Sequence, residues 1–487
     1  MPVTPTYPGL YLEELPSNAH TITAAPTSVT ACVGYSHPYK TRNFGTAVEL
    51  FSFSEFEREF GGLFASGVFD TNLGYAVHQF FLNGGSTAYV VGLPPRYYDD
   101  TGAQIEKQPD PDPTVIAPAP TVAAPAPTVT INGIRFIGRE PTDQIPMRIT
   151  IDNVDSAVGD ITITYGRVIE SYRGVSLDAG PPDSPNPMFI ERVLGTAESP
   201  RSQLVTVAPA SGGYGGTMPV ASGTTVEMNL PTGLATTFSA ADFTEAFEAD
   251  SSLDKVQIFN LLCVPGITDA GVVSAALAFA ESKLAFMIVD PPRQAAADDA
   301  SGKLPALESL VPLIPKSPNG ALYFPYLQVT DPLTSSSMEL PPSGFVAGKF
   351  ADTDLKRGVW KAPAGLETQI ATTTGVVPRG RMTNQRQGTL NPIGVNCLRT
   401  FRDTGTVIFG ARTLVTANHA FEQWRYVPVR RMALFIEQTL MANLTWAVFE
   451  PNDRPLWTAR APASTTSCSG CSTSAPSRAT RRARRSG

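Results

Sequence analysis

The residues that most often carry catalysis and metal binding are scarce: four histidines and five cysteines in 487 residues. His20, His37, His78 and His419 fall in no motif with Ser, Cys or metal-ligand spacing, which leaves triad or metal chemistry little to work with. Cys32, Cys263 and Cys397 lie singly in apolar stretches and read as buried reduced thiols. Cys468 and Cys471 form a CxxC, without the two further ligands a zinc site needs. No apolar run approaches the roughly 20 residues required to span a bilayer, and the opening MPVTPTYPGLYLEELP has neither the basic region nor the apolar core of a secretion signal. Synthesis is therefore expected in the cytoplasm, with no membrane insertion. Basic residues number 37 against 44 acidic, a net charge of −7, and the only Arg cluster, Arg478 to Arg485, lies in the terminal segment 458–487, which argues against a nucleic-acid binder. The Gly-rich stretches at 83–86 and 211–216 match neither a P-loop nor a dinucleotide fingerprint, and read as turns.

A more local deficit lies at 458–487, TARAPASTTSCSGCSTSAPSRATRRARRSG, which contains no Leu, Ile, Val, Phe, Met, Tyr or Trp. Such a segment buries too little apolar area to offset about 1 to 2 kcal/mol of backbone entropy per residue. Most Ser codons and all Cys codons begin with T. Moving the frame back one nucleotide makes that T a middle base, which always encodes an apolar residue. Ser464, Ser467, Cys468, Cys471 and Ser472 then become apolar at the i, i+3, i+4, i+7, i+8 spacing of an amphipathic helix, with Ser469 apolar beside them, one spelling being VDDFLLRLLDQRAFKGDTPGEAF. The expectation is a frameshift near residue 458 and a disordered, aberrant tail.

The length suggests about two to four domains. Pro2, Pro5, Pro8, Pro16 and Pro26 forbid a continuous helix at the start and favour an extended arm, within which TYPGLYLEEL alternates well enough to pair as a strand. PTSVTACVGYS reads as a buried strand. SFSEFEREFGG reads as a helix capped by Ser54 with Glu57 three residues on. A helix over Leu73–Leu82 and a strand TAYVVGL complete an α/β start. From about residue 96 a Pro and Ala linker leads into short alternating runs such as GIRFIG, MRITID and DITITYGRVIESYRG, the pattern of a β-rich sandwich or barrel inserted into another domain. KVQIFNLLCVPG, a helix capped by Thr268, and the apolar strand LAFMIVDPP then form a βαβ unit of a parallel sheet. The spacing further predicts a strand ALYFPYLQV, a helix from Ser343 to Lys356, strands TVIFGAR, WRYVPVR and TWAVFEP, and a helix Arg430–Leu444 with Met432, Phe435, Ile436, Leu440 and Leu444 along one face.

Candidate chemistry is thin. Asp290 stands at the C-terminal end of a strand, where βαβ enzymes often place catalysts, yet a lone carboxylate lacks a partner and DPP is a natural strand terminator. Asp352 and Asp354 are flanked by Lys349, Lys356 and Arg357, which favours a solvated or intersubunit salt-bridge cluster over a pair of catalytic acids.

A resemblance fills this gap. The arm YPGLYLEELPSNAHTITAAPTSVTACVG, the blocks FFLNGGSTAYVVGL and LAFMIVDPP, the run from YFPYLQVTDPL through PPSGFVAGKFADTDLKRGVWKAPAG, and then LNPIGVNCLRTF, FGARTL, WRYVPVRRMALFIEQ and AVFEPNDRPLW are similar to the contractile tail sheath proteins of phage tails and bacterial injection systems. The similarity covers residues 1 to about 95 and 250–457.

The resemblance implies a mixed α/β fold and a division into five parts. These are an extended arm at 1–26, the first part of an α/β sheath core at 27–95, an outward-facing β-rich insert at 96–245, the rest of the core at 250–457, and the aberrant tail at 458–487. It implies a structural subunit that polymerises as hexameric rings around an inner tube and contracts to drive the tube through a cell envelope. No catalytic residue, metal or cofactor is required. Expected partners are other copies of the chain, the inner tail tube, and baseplate and terminal cap proteins, in a virion tail or an injection particle assembled after cytoplasmic synthesis. Tyr7, Gly9, Leu10, Tyr11, Leu12, Glu13 and Glu14 of the arm are the residues expected to exchange a strand with a neighbour. A non-sheath structural or adhesion protein, or an α/β enzyme using Asp290, are the alternatives.

Overall fold

A computed structural model describes residues 23–95, 97–98, 126–131, 133–210, 214, 218, 223–230, 235–236, 238–293, 314–377, 382–416, 418–449 and 451. The strand-exchange residues Tyr7, Gly9, Leu10, Tyr11, Leu12, Glu13 and Glu14, His20, the Pro and Ala linker up to residue 125 and the segment 458–487 lie outside these residues.

The chain divides into two compact units, Thr27–Arg431 and a smaller one made of 1–26 with 432–487. The larger unit is built on an eight-stranded sheet. Its strands lie in the order Ala47–Leu50, Ala88–Leu93, Thr30–Tyr35, Leu261–Cys263, Phe286–Val289, Gly320–Phe324, Val395–Phe401, Gly405–Ile408. The six inner strands run parallel, and an antiparallel strand closes each edge. A parallel sheet must be covered on both faces, which explains why TACVGY, FMIV and GALYF are buried at every position. One face takes the helices Ala240–Ala246 and Ala270–Ser282, whose Phe243, Val272, Ala276 and Phe279 share a core with Ala31, Val33, Leu262, Met287 and Val289. Each such fully buried large apolar side chain contributes roughly 1.5–3 kcal/mol. The opposite face takes Asn72–Leu82 and Ser343–Arg357, with the Phe350 ring centroid 6.4 Å from that of Phe286 and 6.0 Å from that of Tyr323. These two helices approach closely because Gly344 faces Ala76, whose backbone would lie 2.4 Å from a Cβ placed there.

Caps fall near the predicted positions but on neighbouring residues. Helix Phe53–Phe60 is capped by Ser52, not Ser54: its side chain accepts from Glu55 N, while the Glu55 carboxylate accepts from Phe51 N at 2.7 Å. The capping pair is therefore Ser52 and Glu55, two residues earlier than expected, with Glu55 reaching back to Phe51 N rather than to the cap's own N–H. Helix Ala270–Ser282 is capped by Asp269, not Thr268; the carboxylate accepts from both Gly271 N and Val272 N. Three expected strands differ as well. ALYFPYLQV is two strands, Gly320–Phe324 in the main sheet and Leu327–Thr330 in a separate three-stranded sheet, divided where Pro325 has no N–H to donate. WRYVPVR instead enters the helix Val427–Asn443, because Pro428 sits in the first turn, where its missing N–H costs nothing. TWAVFEP contains a 3₁₀ helix at Thr445–Phe449.

Between the two halves of the main sheet, strands from 128 to 228 form a three-stranded and a four-stranded antiparallel sheet. Alternation decides their packing: Met147, Ile149 and Ile151 point inward with Ile161 and Ile163, and meet Ile131, Ile134, Phe136, Val205 and Val207 of the smaller sheet in one apolar cluster.

In the smaller unit, the chain before Pro26 is tied to the helix Val427–Asn443. Thr23 N donates to Asn443 Oδ1 at 2.9 Å, Asn443 Nδ2 donates back to Thr23 O at 2.8 Å, and Ala25 N donates to Thr439 Oγ1 at 3.2 Å.

Candidate functional site

In an open parallel sheet, ligands are usually held beyond the C-terminal strand ends where the strand order reverses. That point lies between Thr30–Tyr35, whose chain continues to one side, and Leu261–Cys263, whose chain continues to the other. A cavity of about 630 Å³ opens there, with Tyr35, Phe69, Asp70, Phe238, Ile267 and Asp269 in its wall. Its two carboxylates are already engaged: Asp70 accepts from Asn72 N at 2.7 Å, and Asp269 caps its helix. Neither is placed beside a nucleophile and base.

Asp290 follows the strand Phe286–Val289 and is buried. Its Oδ1 accepts from Ser343 N at 2.8 Å, and its Oδ2 from Ser343 Oγ at 2.6 Å and Gly266 N at 2.9 Å. Burial pushes its carboxyl up to about 6, against the three donors, which pull it down. The geometry is that of a brace: Asp290 fastens the loop after Leu261–Cys263 to the start of helix Ser343–Arg357. Cys263 donates to the Ser343 carbonyl from the same region, and Cys32 lies beside Cys263 in register. All three described cysteines are buried free thiols.

Asp352 and Asp354 do not act as one cluster. Asp352 pairs with Lys356 at 2.7 Å and Lys349 at 3.5 Å near the surface. Asp354, half a turn away, points inward and holds Arg431 in a two-pronged ion pair, 2.8 and 2.5 Å, with both side chains buried. Arg431 also donates to Thr27 O at 2.9 Å and lies 4.9 Å over the Phe350 ring. The expectation of a solvated or intersubunit cluster is thus corrected for Asp354: helical geometry sends residues two apart to different faces. Arg357 pairs with Glu367 instead.

A constellation with no counterpart in any sequence motif joins the β-rich segment to the main sheet. Glu140 accepts from His37 Nε2 at 3.0 Å and from Lys40 Nζ. Burial works to raise the Glu140 carboxyl, yet His37 and Lys40 together hold it below the usual range. Burial holds His37 low, so Lys40 supplies the countercharge and the neutral imidazole donates its Nε2–H, its Nδ1 accepting from Tyr39 N at 3.2 Å. Beside them Asp143 accepts from Gly67 N at 2.6 Å and Ser66 Oγ at 3.0 Å. The sequence gives no hint of this, because His37 and Glu140 stand 103 residues apart.

The remaining candidates are structural. His78 lies on helix Asn72–Leu82 with its ring 4.5 Å from that of Phe53, and His419 begins a short 3₁₀ helix. Asn83 to Ser86 forms a turn in which Gly84 takes φ 110° and the Asn83 side chain accepts from Ala371 N. Among the described residues, no group of three His, Cys, Asp or Glu is arranged to hold a metal, and no helix is long and apolar enough to cross a membrane. Asp290, Asp354 and Glu140 each act as a brace or clamp within the fold.

The chain is similar to a putative prophage major tail sheath protein of Pseudomonas aeruginosa (strain UCBPP-PA14), 29% identical over 126 residues, which is 26% of this chain and 31% of that protein. The fold resembles the sheath tail protein of Desulfitobacterium hafniense, with a TM-score of 0.56 at 10% identity over 96% of this chain and 88% of that one. It also resembles the contracted sheath complex of an extracellular contractile injection system, with a TM-score of 0.52 at 20% identity, covering 98% and 85%. The matched proteins are sheath proteins rather than enzymes. Residues 236–414 match the family described as the phage tail sheath protein central domain.

Proposed function

We propose that the protein is the structural subunit of a contractile tail sheath, polymerising with itself as hexameric rings around an inner tube and shortening to drive that tube through a target envelope. The observation that carries this reading is the family match at 236–414, which coincides with most of the second half of the main sheet. In this reading the parallel sheet is a rigid body, and contraction is a rotation of such bodies, powered by exchange of their interfaces rather than by a cofactor.

The arm around Tyr7 to Glu14 adds a strand to a neighbour's sheet, residues 96–245 face outward, and 458–487 replaces a folded end. The inner tube, baseplate and terminal cap are the other partners. Synthesis takes place in the bacterial cytoplasm, and the assembled particle is a virion tail or an injection device.

Negative-stain microscopy of the purified chain, alone and with the reading frame restored after Trp457, tests the proposal. Long ringed cylinders of fixed diameter are expected from the restored chain. Dispersed particles or irregular aggregates from both versions would remove its support.

A further inference from the structure

Within the larger unit, the β-rich segment and the part built on the main sheet leave a cleft between them. It has a main cavity of about 850 Å³ and a side cavity of about 350 Å³, which share Lys40, Leu63, Glu140, Gln203, Pro332 and Leu333 and so form one groove. Among the described residues Lys40, Arg42, Arg58, Arg139, Arg167 and Arg201 line it against Glu57 and Glu140, with Glu59 and Glu170 next to the lining. In a chain of net charge −7, this concentrates positive charge at one place.

Most of these cations are incompletely balanced. Arg42 and Arg58 share the single carboxylate of Glu59, at 3.7 and 2.9 Å. Arg139 donates to Ser202 O at 2.8 Å and shares the field of Glu140 and Glu170 without a direct ion pair to either among the described residues. Arg167 and Arg201 are exposed, and their side chains make no ion pair or hydrogen bond among the described residues. His78 reaches the same wall with a buried Nδ1 that has no hydrogen-bond partner among them.

Apolar side chains stand beside the charges: Leu63, Tyr165, Val168 and Leu333 line the side cavity, and Val168 is 48% exposed. Guanidinium forks next to apolar side chains suit carboxylates carried on an apolar-containing chain better than a single small anion, which would fill a minor part of the space.

We infer that this groove is a docking site for an acidic peptide segment of another polypeptide, one that alternates carboxylates with apolar side chains. Bound there, it would bridge the β-rich segment and the main-sheet part of the same unit across the junction fastened by Glu140. The inference concerns the single subunit and stands whether or not the chain forms sheaths.

A short fluorescein-labelled peptide alternating Glu with Leu, titrated with the full chain and followed by anisotropy, tests it. Saturable binding that weakens with added salt is expected, with at least tenfold loss in the Arg167→Glu/Arg201→Glu double variant and a smaller loss in Arg201→Ala. Both positions are exposed and unpaired, so far-UV circular dichroism should match the parent. Equal binding of the Gln-for-Glu peptide, or an unchanged affinity in the double variant, would overturn the proposal. Displacement of the peptide by equimolar inorganic pyrophosphate would overturn it as well, in favour of a small-anion site.

Discussion

His37, just beyond the strand Thr30–Tyr35, donates its Nε2–H to the carboxylate of Glu140 from the β-rich segment, and both side chains are buried. With Lys40 on the second oxygen, one carboxylate ties two parts of the chain whose connecting residues lie far apart in sequence. Removing one member of a buried pair leaves the other charge unpaired, at a cost of about 3–5 kcal/mol. Glu140→Ala should therefore lose stability of that order. Hydrogen exchange should accelerate around residues 36–42 and 139–145 while the strands Met147–Asp155 and Val158–Tyr165 keep their protection. Equal exchange in parent and variant would show that the clamp holds nothing.

Asp290 predicts a pH dependence of definite sign. Its folded carboxyl titrates at about 6 against a reference of 3.8. Between these values the folded state binds more protons than the unfolded state, so stability falls as pH rises through the window and is flat above it. The difference amounts to about 3 kcal/mol. Urea titrations from pH 4 to pH 7 should show this decline in the parent, and a smaller one in Asp290→Asn. Identical slopes would place the burden on other groups.

The inward pair of Asp354 and Arg431 makes a third case. Arg431→Met strands a buried carboxylate and should cost about 3–5 kcal/mol. The double variant Arg431→Met/Asp354→Leu should recover much of that loss, since two well-packed apolar side chains replace two desolvated charges. Thermal melting of the two variants side by side distinguishes this from a simple packing defect, for which the double variant would be the worse.

Gly344→Ala probes the contact between helices Asn72–Leu82 and Ser343–Arg357. A Cβ there meets the Ala76 carbonyl at 2.4 Å and its Cα at 2.7 Å, atoms that no rotamer change can move. The helices must separate, for a loss of roughly 1–3 kcal/mol or more. Gly388→Ala, with open space around its Cβ, should be close to neutral in the same denaturation assay.

The parallel sheet was legible because both faces are covered, which makes its strands continuous apolar runs such as FMIV and GALYF. The cap residues were legible only to within one or two positions, since SFSE and ITDA each offer neighbouring side chains able to accept from a helix N–H. WRYVPVR misled because Val, Tyr and Trp favour strands, whereas the place of Pro428 in a helical first turn depends on the helix-forming residues C-terminal to it. Asp354 and Asp352 looked equivalent as a charge run. The difference between them is Arg431, 77 residues away. Glu140 and His37 carried no local signal at all. Contacts made by folding the chain back on itself leave no period in the sequence, and the brace, the clamp and the cation-lined groove are all of that kind.

The position of Thr30–Tyr35 in the middle of the sheet has a consequence for synthesis. Its partner on one side, Ala88–Leu93, leaves the ribosome soon after it, but on the other it pairs with Leu261–Cys263. Val29 N bonds the Asn260 side chain across 231 residues, a stretch that takes about 10–50 s to translate at roughly 5–20 residues per second. For that interval the nascent chain carries a three-stranded fragment with an open parallel edge, while the β-rich segment, whose strands pair mostly with near neighbours, emerges and closes. The order of completion is thus the inserted sheets first and the sheet that surrounds them last, which makes the edge of Thr30–Tyr35 the place where a growing chain is most exposed to pairing with another.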